Sequence, residues 1–242
     1  MKKVTFESTA ESFQEMIDHL PDERPDDDRP CKCGECDGYG HVIDSDGKAR
    51  FCPNFFEQKV GPTLDTLRRS EKFVETPTFL AVELLKMDVL TEGKPRAVFL
   101  SGSHGRSKTE ASRALLNEAA LNGVRGHYVS FPELIKARKT GYDGNAVIQS
   151  HLRAIQKSRI VVIDEIGRES QHGNEDHPRS MLTEIIQYCD RQRFAIFITN
   201  LSIKEIDLYL DTYAKSRLHG DSGYCSWVED FEGADLRFEG FE

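Results

Sequence analysis

Three residues in the run VFLSGSHGRSKTEASRALL, Gly102, Lys108 and Thr109, stand at the spacing of a phosphate-binding loop, G-x-x-x-x-G-K-[ST]. In such a loop, backbone N–H groups and a helix N-terminus surround the phosphates. The lysine reaches the β- and γ-phosphates, and the hydroxyl binds Mg2+. The loop here would run through Gly102, Ser103, His104, Gly105, Arg106 and Ser107 to Lys108 and Thr109. It departs from the pattern at one place, where Ser107 occupies the second glycine position. Glycine there permits unusual dihedrals and a close backbone approach. A Cβ at such a position costs on the order of 1 kcal/mol or more. The expectation is ATP binding that is retained but weakened, with slow hydrolysis. Arg106 is placed to add charge near the phosphates or to face solvent.

Two further groups carry compatible chemistry. The apolar run RIVVIDEIG ends in Asp164-Glu165. An acid at the end of a buried strand can hold Mg2+, and the next acid can polarise the attacking water. A second apolar run, FAIFITNLS, ends in Thr199-Asn200. The Asn200 amide is positioned to sit beside the γ-phosphate and orient that water; an asparagine after a strand also serves as a turn residue. A separate constellation is CKCGECDGYGHVIDSDGKARFC, with Cys31, Cys33, Cys36 and Cys52. Cys33 and Cys36 have zinc-knuckle spacing, and Cys52 would return on the second strand of a small hairpin. Cys31 or His41 would be the fourth ligand; the alternative is a metal-free loop with free thiols. A closed four-ligand Zn2+ site would be structural. Cys189 and Cys225 are expected to be buried apolar residues in a helix and a strand.

The elements that must position these residues follow from periodicity. From Arg96 onward, short β-rich runs alternate with helical ones. Strands are expected at AVFL, HYVSF, RIVVI and FAIFIT, and helices near Thr109–Leu121, from Pro132, near Ala146–Lys157 and near Pro178–Arg193. That alternation predicts a parallel α/β sheet with helices on both faces. Ser202 and Glu205 have capping-box spacing. Earlier in the chain, Phe13, Met16, Ile17 and Leu20 share one face of an expected helix over residues 8–20. The run PDERPDDDRP, with three prolines and five acids, reads as an exposed linker. Further helical stretches are expected around Thr63–Phe73 and Thr78–Val89. The expected domains are a helix and acidic linker over 1–30, a small zinc-binding module over 31–75, and an ATPase domain over 76–242.

Together these residues resemble the AAA+ ATPases, and among them the replicative-helicase loaders of DnaC/DnaI type. The resemblance spans roughly residues 31–240. Its most specific part, FITNLSIKEIDLYLDTYAKSRLHG, is similar to that family's sensor-1 segment followed by its S-R-L box; FEGADLR is similar to the family's short ending. The resemblance implies an AAA+ P-loop core in which Lys108 and Thr109 hold phosphate and Mg2+, Asp164 is the Walker B ligand and Glu165 the catalytic acid. It makes Asn200 sensor 1, Arg217 the finger that reaches a neighbouring subunit's ATP, and Arg237 a sensor-2-like residue. Loaders of DnaI type also carry a comparable cysteine segment, although the second cysteine pair is incomplete here, since Pro53 and Asn54 follow Cys52.

The implied function is an ATP-dependent helicase loader that forms homo-oligomers with ATP bound and contacts a hexameric replicative helicase and single-stranded DNA. Lys136, Arg138 and Lys139, with Tyr142 available to stack, form one basic spot for such contact. The alternatives are a transposition helper ATPase of IstB type, which shares the ATPase motifs, and a zinc-stapled interaction protein with a vestigial nucleotide site. The bulk properties bear on this choice. The chain has 242 residues and a net charge of −9. The acidic surplus disfavours broad DNA binding by the whole surface and suits a protein partner. No apolar run reaches membrane-spanning length, and the N-terminus shows no apolar leader, so a cytoplasmic location is expected.

Overall fold

The computed structural model describes residues 36, 41–43, 47, 49–52, 61–69, 76–91, 93–139, 142–168, 176–219 and 224–232. Cys31, Cys33 and Arg237, the helix expected over 8–20 and the acidic linker lie outside the described residues. So do the side chains of His41, Lys139 and Tyr142. The chain divides into two compact units, Met1–Phe56 and Glu57–Glu242. In the first, β1 (His41–Ile43) and β2 (Ala49–Phe51) pair antiparallel, with His41 opposite Phe51. This is the small hairpin expected from the cysteine spacing, and Cys52 follows its second strand, buried.

The second unit contains α1 (Leu64–Arg68) and α2 (Pro77–Leu90), then β3 (Ala97–Gly102), α3 (Lys108–Leu121), β4 (Gly126–Ser130), α4 (Phe131–Lys139) and α5 (Tyr142–Lys157). It continues with β5 (Ile160–Ile166), α6 (Asp176–Cys189), β6 (Phe194–Thr199), α7 (Ile203–Tyr209), α8 (Thr212–Leu218) and β7 (Cys225–Asp230). Five strands form one sheet in the order β4-β5-β6-β3-β7, and every neighbouring pair is parallel. Parallel strands need crossover connections, which the intervening helices supply. This is the expected parallel α/β sheet flanked by helices.

The period-2 geometry of a strand explains why these runs are apolar throughout. Ala97 and Phe99 of β3, Val161 and Ile163 of β5, and Ala195 and Phe197 of β6 face one core, shared with α4 to α8. The alternate residues, Val98 and Leu100, Ile160 and Val162, and Phe194, Ile196 and Ile198, face a second core, shared with α1, α2 and α3. Helix ends are set locally. Thr76 caps α2 by accepting from the Phe79 N–H, with Pro77 at the first helical position. Ser202 and Glu205 form the reciprocal capping box that opens α7. Helix α6 ends at Cys189, before Arg193, and α5 begins at Tyr142, before Ala146. Cys189 is fully buried, as expected, whereas Cys225 is only partly buried on the edge strand β7. No helix among the described residues is long and apolar enough to cross a membrane.

Candidate functional site

In an open parallel sheet, ligands bind beyond the carboxyl ends of the strands, where the strand order reverses. Here that place is the end of β3. The chain leaves β3 for β4 at the far edge and returns to flank β3 with β6 on one side and β7 on the other. The loop after β3 therefore lies beside the ends of β6 and β5. A cleft of ≈ 240 Å³ opens there, lined by the loop from His104 through Ser107, by Lys108 and Thr109, by Asp164 and Glu165, and by Thr199 and Asn200. The expected loop with Lys108 and Thr109, the Asp164-Glu165 pair and the Thr199-Asn200 pair meet in this one cleft.

Lys108 is buried, and its Nζ donates to the carbonyls of Gly102 and Ser103, each at 2.7 Å. Burial pushes its pKa down to about 8, against the opposing pull of Asp230 and Asp164. An ammonium held on two carbonyls in a buried loop suits a site whose anion arrives with the ligand. The Thr109 hydroxyl donates to Asp164 Oδ2 at 2.7 Å, so the two expected Mg2+-binding groups are already together. Both observations fit a polyphosphate with its divalent cation.

Ser107 adopts φ 55°, ψ 18°, the left-handed conformation that glycine would take without strain, and its side chain makes no capping hydrogen bond to α3. Gly105, with φ 76°, is a second left-handed position in the loop. Gly102 is required for a different reason. A Cβ there would lie 2.2 Å from the carbonyl oxygen of Asp230. Ser103 also faces β7, its N–H donating to Asp230 O and its hydroxyl to Phe231 O. Gly102 and Ser103 thus anchor the loop and do not line the cleft.

Arg106 does not stand free near the phosphate positions. Its Nε donates to Asp230 Oδ1 at 2.8 Å, and both side chains are buried. Arg106 and Asp230 tie the loop to the end of β7.

Glu165 lies at an irregularity in the β5–β6 ladder between Ile163 and Ile166, with φ 63°. A non-glycine residue in this region is strained, and such strain concentrates at functional sites. The bend turns Glu165 out of the sheet into the cleft. Its carboxylate accepts from Ser130 at 3.0 Å and pairs with Arg168. Tyr128 donates to the same Asp164 oxygen that Thr109 uses, at 2.8 Å. Burial and Asp164 push the Tyr128 phenol up to about 12, so it remains a donor at neutral pH. The Arg113 guanidinium sits 4.3 Å from the centre of its ring. At the end of β6, the Thr199 hydroxyl donates to Ile166 O and accepts from the Leu201 N–H. This fixes the turn that presents the exposed Asn200 to the cleft.

Tyr128, Ser130, Arg168 and Asp230 complete the site, although no motif singles out any of them. For Ser130 the explanation is register, since it lies opposite Asp164 in the β4–β5 ladder. Arg217, on the last turn of α8, does not line this cleft. It pairs with Asp190 at 3.3 Å, and its guanidinium lies 5.0 Å from the Tyr213 ring. Of the cysteine cluster, Cys36 and Cys52 are described, and no group of three or more candidate metal ligands occurs among the described residues.

No family model and no curated protein matches the sequence. Solved structures do match in fold. A crystal structure of DnaI superposes with a TM-score of 0.54 at 18% identity, covering 75% of this chain and 93% of that one. A DNA replication initiation factor gives 0.55 at 19% identity over 75% of this chain and 52% of that one. AMPPCP-bound DnaA from Aquifex aeolicus gives 0.52 at 20% identity over 73% and 52%. The chain thus spans nearly all of the DnaI structure and about half of the other two.

Proposed function

We propose that this chain, built on the fold it shares with DnaI and DnaA, is an ATP-controlled loader of a replicative DNA helicase. The observation that carries the reading is the convergence of Lys108, the Thr109–Asp164 pair, Glu165 and Asn200 in one cleft at the sheet's switch point. Lys108 would hold the β- and γ-phosphates, Thr109 and Asp164 a Mg2+ ion, and Asn200 the attacking water. The cation would neutralise charge on the phosphates during transfer. Glu165 would polarise the water once released from Ser130 and Arg168. Its present partners, together with the left-handed Ser107, favour slow turnover, so ATP acts as an assembly switch. The likeness to an AMPPCP-bound DnaA supports nucleotide binding, and the likeness to DnaI over most of that chain supports the loader role.

Arg217 stands away from its own cleft, on an α8 surface from which it would complete the site of a neighbouring copy in an ATP-bound oligomer. Arg237 would play a sensor-2-like role in the same cleft. Single-stranded DNA and a hexameric helicase are the proposed macromolecular partners. In the first unit, Cys31, Cys33, Cys36 and Cys52 would hold one structural Zn2+; zinc near one atom per chain, reduced by Cys36→Ser, is the expected result.

The deciding experiment is co-purification with hexameric replicative helicases, with and without ATP. Helicase capture that responds to ATP is expected. Capture of a transposase in place of the helicase would replace this reading with that of a transposition helper. Helicase capture with no detectable ATP binding would leave an interaction protein with a vestigial site.

A further inference from the structure

Away from the nucleotide cleft, along α5, lies a second depression of ≈ 290 Å³. Its floor is one face of α5, formed by Ala146, Ser150 and Ala154 at successive four-residue steps. Arg153 and Lys157 rise from the same helix, and Arg125 forms the facing wall. Arg125 immediately precedes β4 and Lys157 lies just before β5, so this end of the trough sits at the strands' amino ends, and the trough runs from there along α5. With β5 rising about 3.3 Å per residue, the Arg125 and Lys157 end is roughly 20 Å from the nucleotide cleft.

All three cations are exposed, and none has an ion-pair partner among the described residues. Lysine and arginine near a helix C-terminus often serve its last carbonyls. On α5 that task is already filled. Arg193 donates to the carbonyls of Ile155 and Gln156, and the Ser158 hydroxyl donates to that of Ala154. The field of Arg125 is felt by its neighbour His127, whose pKa is depressed by burial first, then by His151 and Arg125. In a chain of net charge −9, an uncompensated cationic trough is a local reversal of the surface field.

We propose that this trough is a binding track for the phosphodiester backbone of single-stranded nucleic acid, with Arg125, Arg153 and Lys157 contacting phosphates. The small residues of the floor admit a chain between the cationic walls, and the spacing along α5 follows a strand more naturally than it fits a single compact anion. The track is separate from the basic spot at Lys136 and Arg138. The proposal rests on the single-stranded DNA contact of the loader reading and assigns it a surface.

The test uses the full chain and fluorescein-labelled oligo-dT, with anisotropy read between roughly 50 and 200 mM salt. Each phosphate neutralised on a single strand contributes about 0.7 to the slope of log K against log salt. The triple variant Arg125→Glu, Arg153→Glu, Lys157→Glu is expected to bind at least tenfold more weakly, with a slope shallower by about 2. Its affinity for a fluorescent ATP analogue should be unchanged, which also reports correct folding. The neutral variant Arg153→Gln should give a slope shallower by about 0.7. Wild-type binding that survives the triple reversal with its slope intact overturns the track, and more so if Lys136→Glu, Arg138→Glu removes it. Displacement of oligo-dT from the wild type by poly-glutamate at equal charge overturns the assignment to nucleic acid. No oligo-dT binding by the wild type removes the DNA contact and the track together; helicase capture, read independently, then decides the loader reading.

Discussion

Lys108 and Ser107 are adjacent, and each is held in a costly state, one by burial of its charge and the other by its left-handed backbone. The Lys108 ammonium is disfavoured by burial, with a pKa of about 8 in the folded chain against an ordinary 10.5. The folded state therefore carries fewer protons than the unfolded one between those two values. The contribution of Lys108 to the stability of the unliganded protein rises with pH across that window. Binding of a polyphosphate restores the charged form, so a proton is taken up, and ATP affinity falls as pH rises above 8. Calorimetry in buffers of different ionisation enthalpy, about one pH unit above that pKa, should read uptake of most of a proton. Lys108→Met should abolish the uptake; none in the wild type would contradict a buried Lys108 that is mostly neutral at that pH. For Ser107, the left-handed backbone costs roughly 1–2 kcal/mol relative to glycine, less about 0.4–1 kcal/mol for glycine's greater freedom in the unfolded chain. Ser107→Gly should stabilise the protein by about 1 kcal/mol in urea denaturation and tighten ATP binding. A variant with unchanged affinity would mean that the serine hydroxyl supplies what the strain removes.

At the scale of elements, the loop after β3 is not an isolated turn. It is bound along one side to the end of β7, through Gly102 against Asp230 O, Ser103 to Asp230 and Phe231, and the Arg106–Asp230 pair. Breaking a buried pair by removing one partner leaves the other charge uncompensated and costs about 3–5 kcal/mol. Asp230→Ala should be destabilising on that scale, whereas Arg106→Met with Asp230→Leu should recover most of the loss. Thermal unfolding of the wild type, Asp230→Ala and the double variant checks this, and a double variant no more stable than Asp230→Ala would count against the pair. The same bond to β7 places the loop under the influence of whatever moves the end of that strand. On the other side, β4 reaches the site through Tyr128 and Ser130, which hold Asp164 and Glu165. The cleft is therefore shaped by strands on both flanks of β5, β6 and β3.

For the whole molecule, a finger role for Arg217 predicts behaviour that no single copy can show. Arg217 is absent from its own cleft and pairs with Asp190 on the same chain. Arg217→Ala should leave ATP affinity of the isolated chain within about twofold and reduce turnover in assembled protein by roughly 10²–10⁵, the lower limit reflecting a site that is slow at the outset. Mixing it with Lys108→Met protein should restore part of the activity, because each supplies what the other lacks. No recovery in the mixture would place Arg217 in a structural role.

Much of this molecule is legible along the chain, and the reason is physical. The apolar runs ending in Ser101-Gly102, Asp164-Glu165 and Thr199-Asn200 are strands buried on both faces, so their composition announces them and their polar ends mark one edge of the sheet. Lys108, Thr109, Asp164, Glu165 and Asn200 carry local signatures for that reason. The loop's tie to β7, the inward turn of Arg106 and the roles of Tyr128 and Ser130 had none. They depend on which strands become neighbours and in what register, and Ser103 and Phe231, or Tyr128 and Asp164, meet only across a sheet order that no local pattern encodes. The sequence by itself determined that these elements would be strands and helices of a parallel α/β sheet with a glycine-containing loop between the first strand and helix of that sheet, because periodicity and turn chemistry are local. Only the tertiary structure decided what surrounds that loop and where uncompensated charge is left on the surface, because partners in space are set by packing and not by spacing.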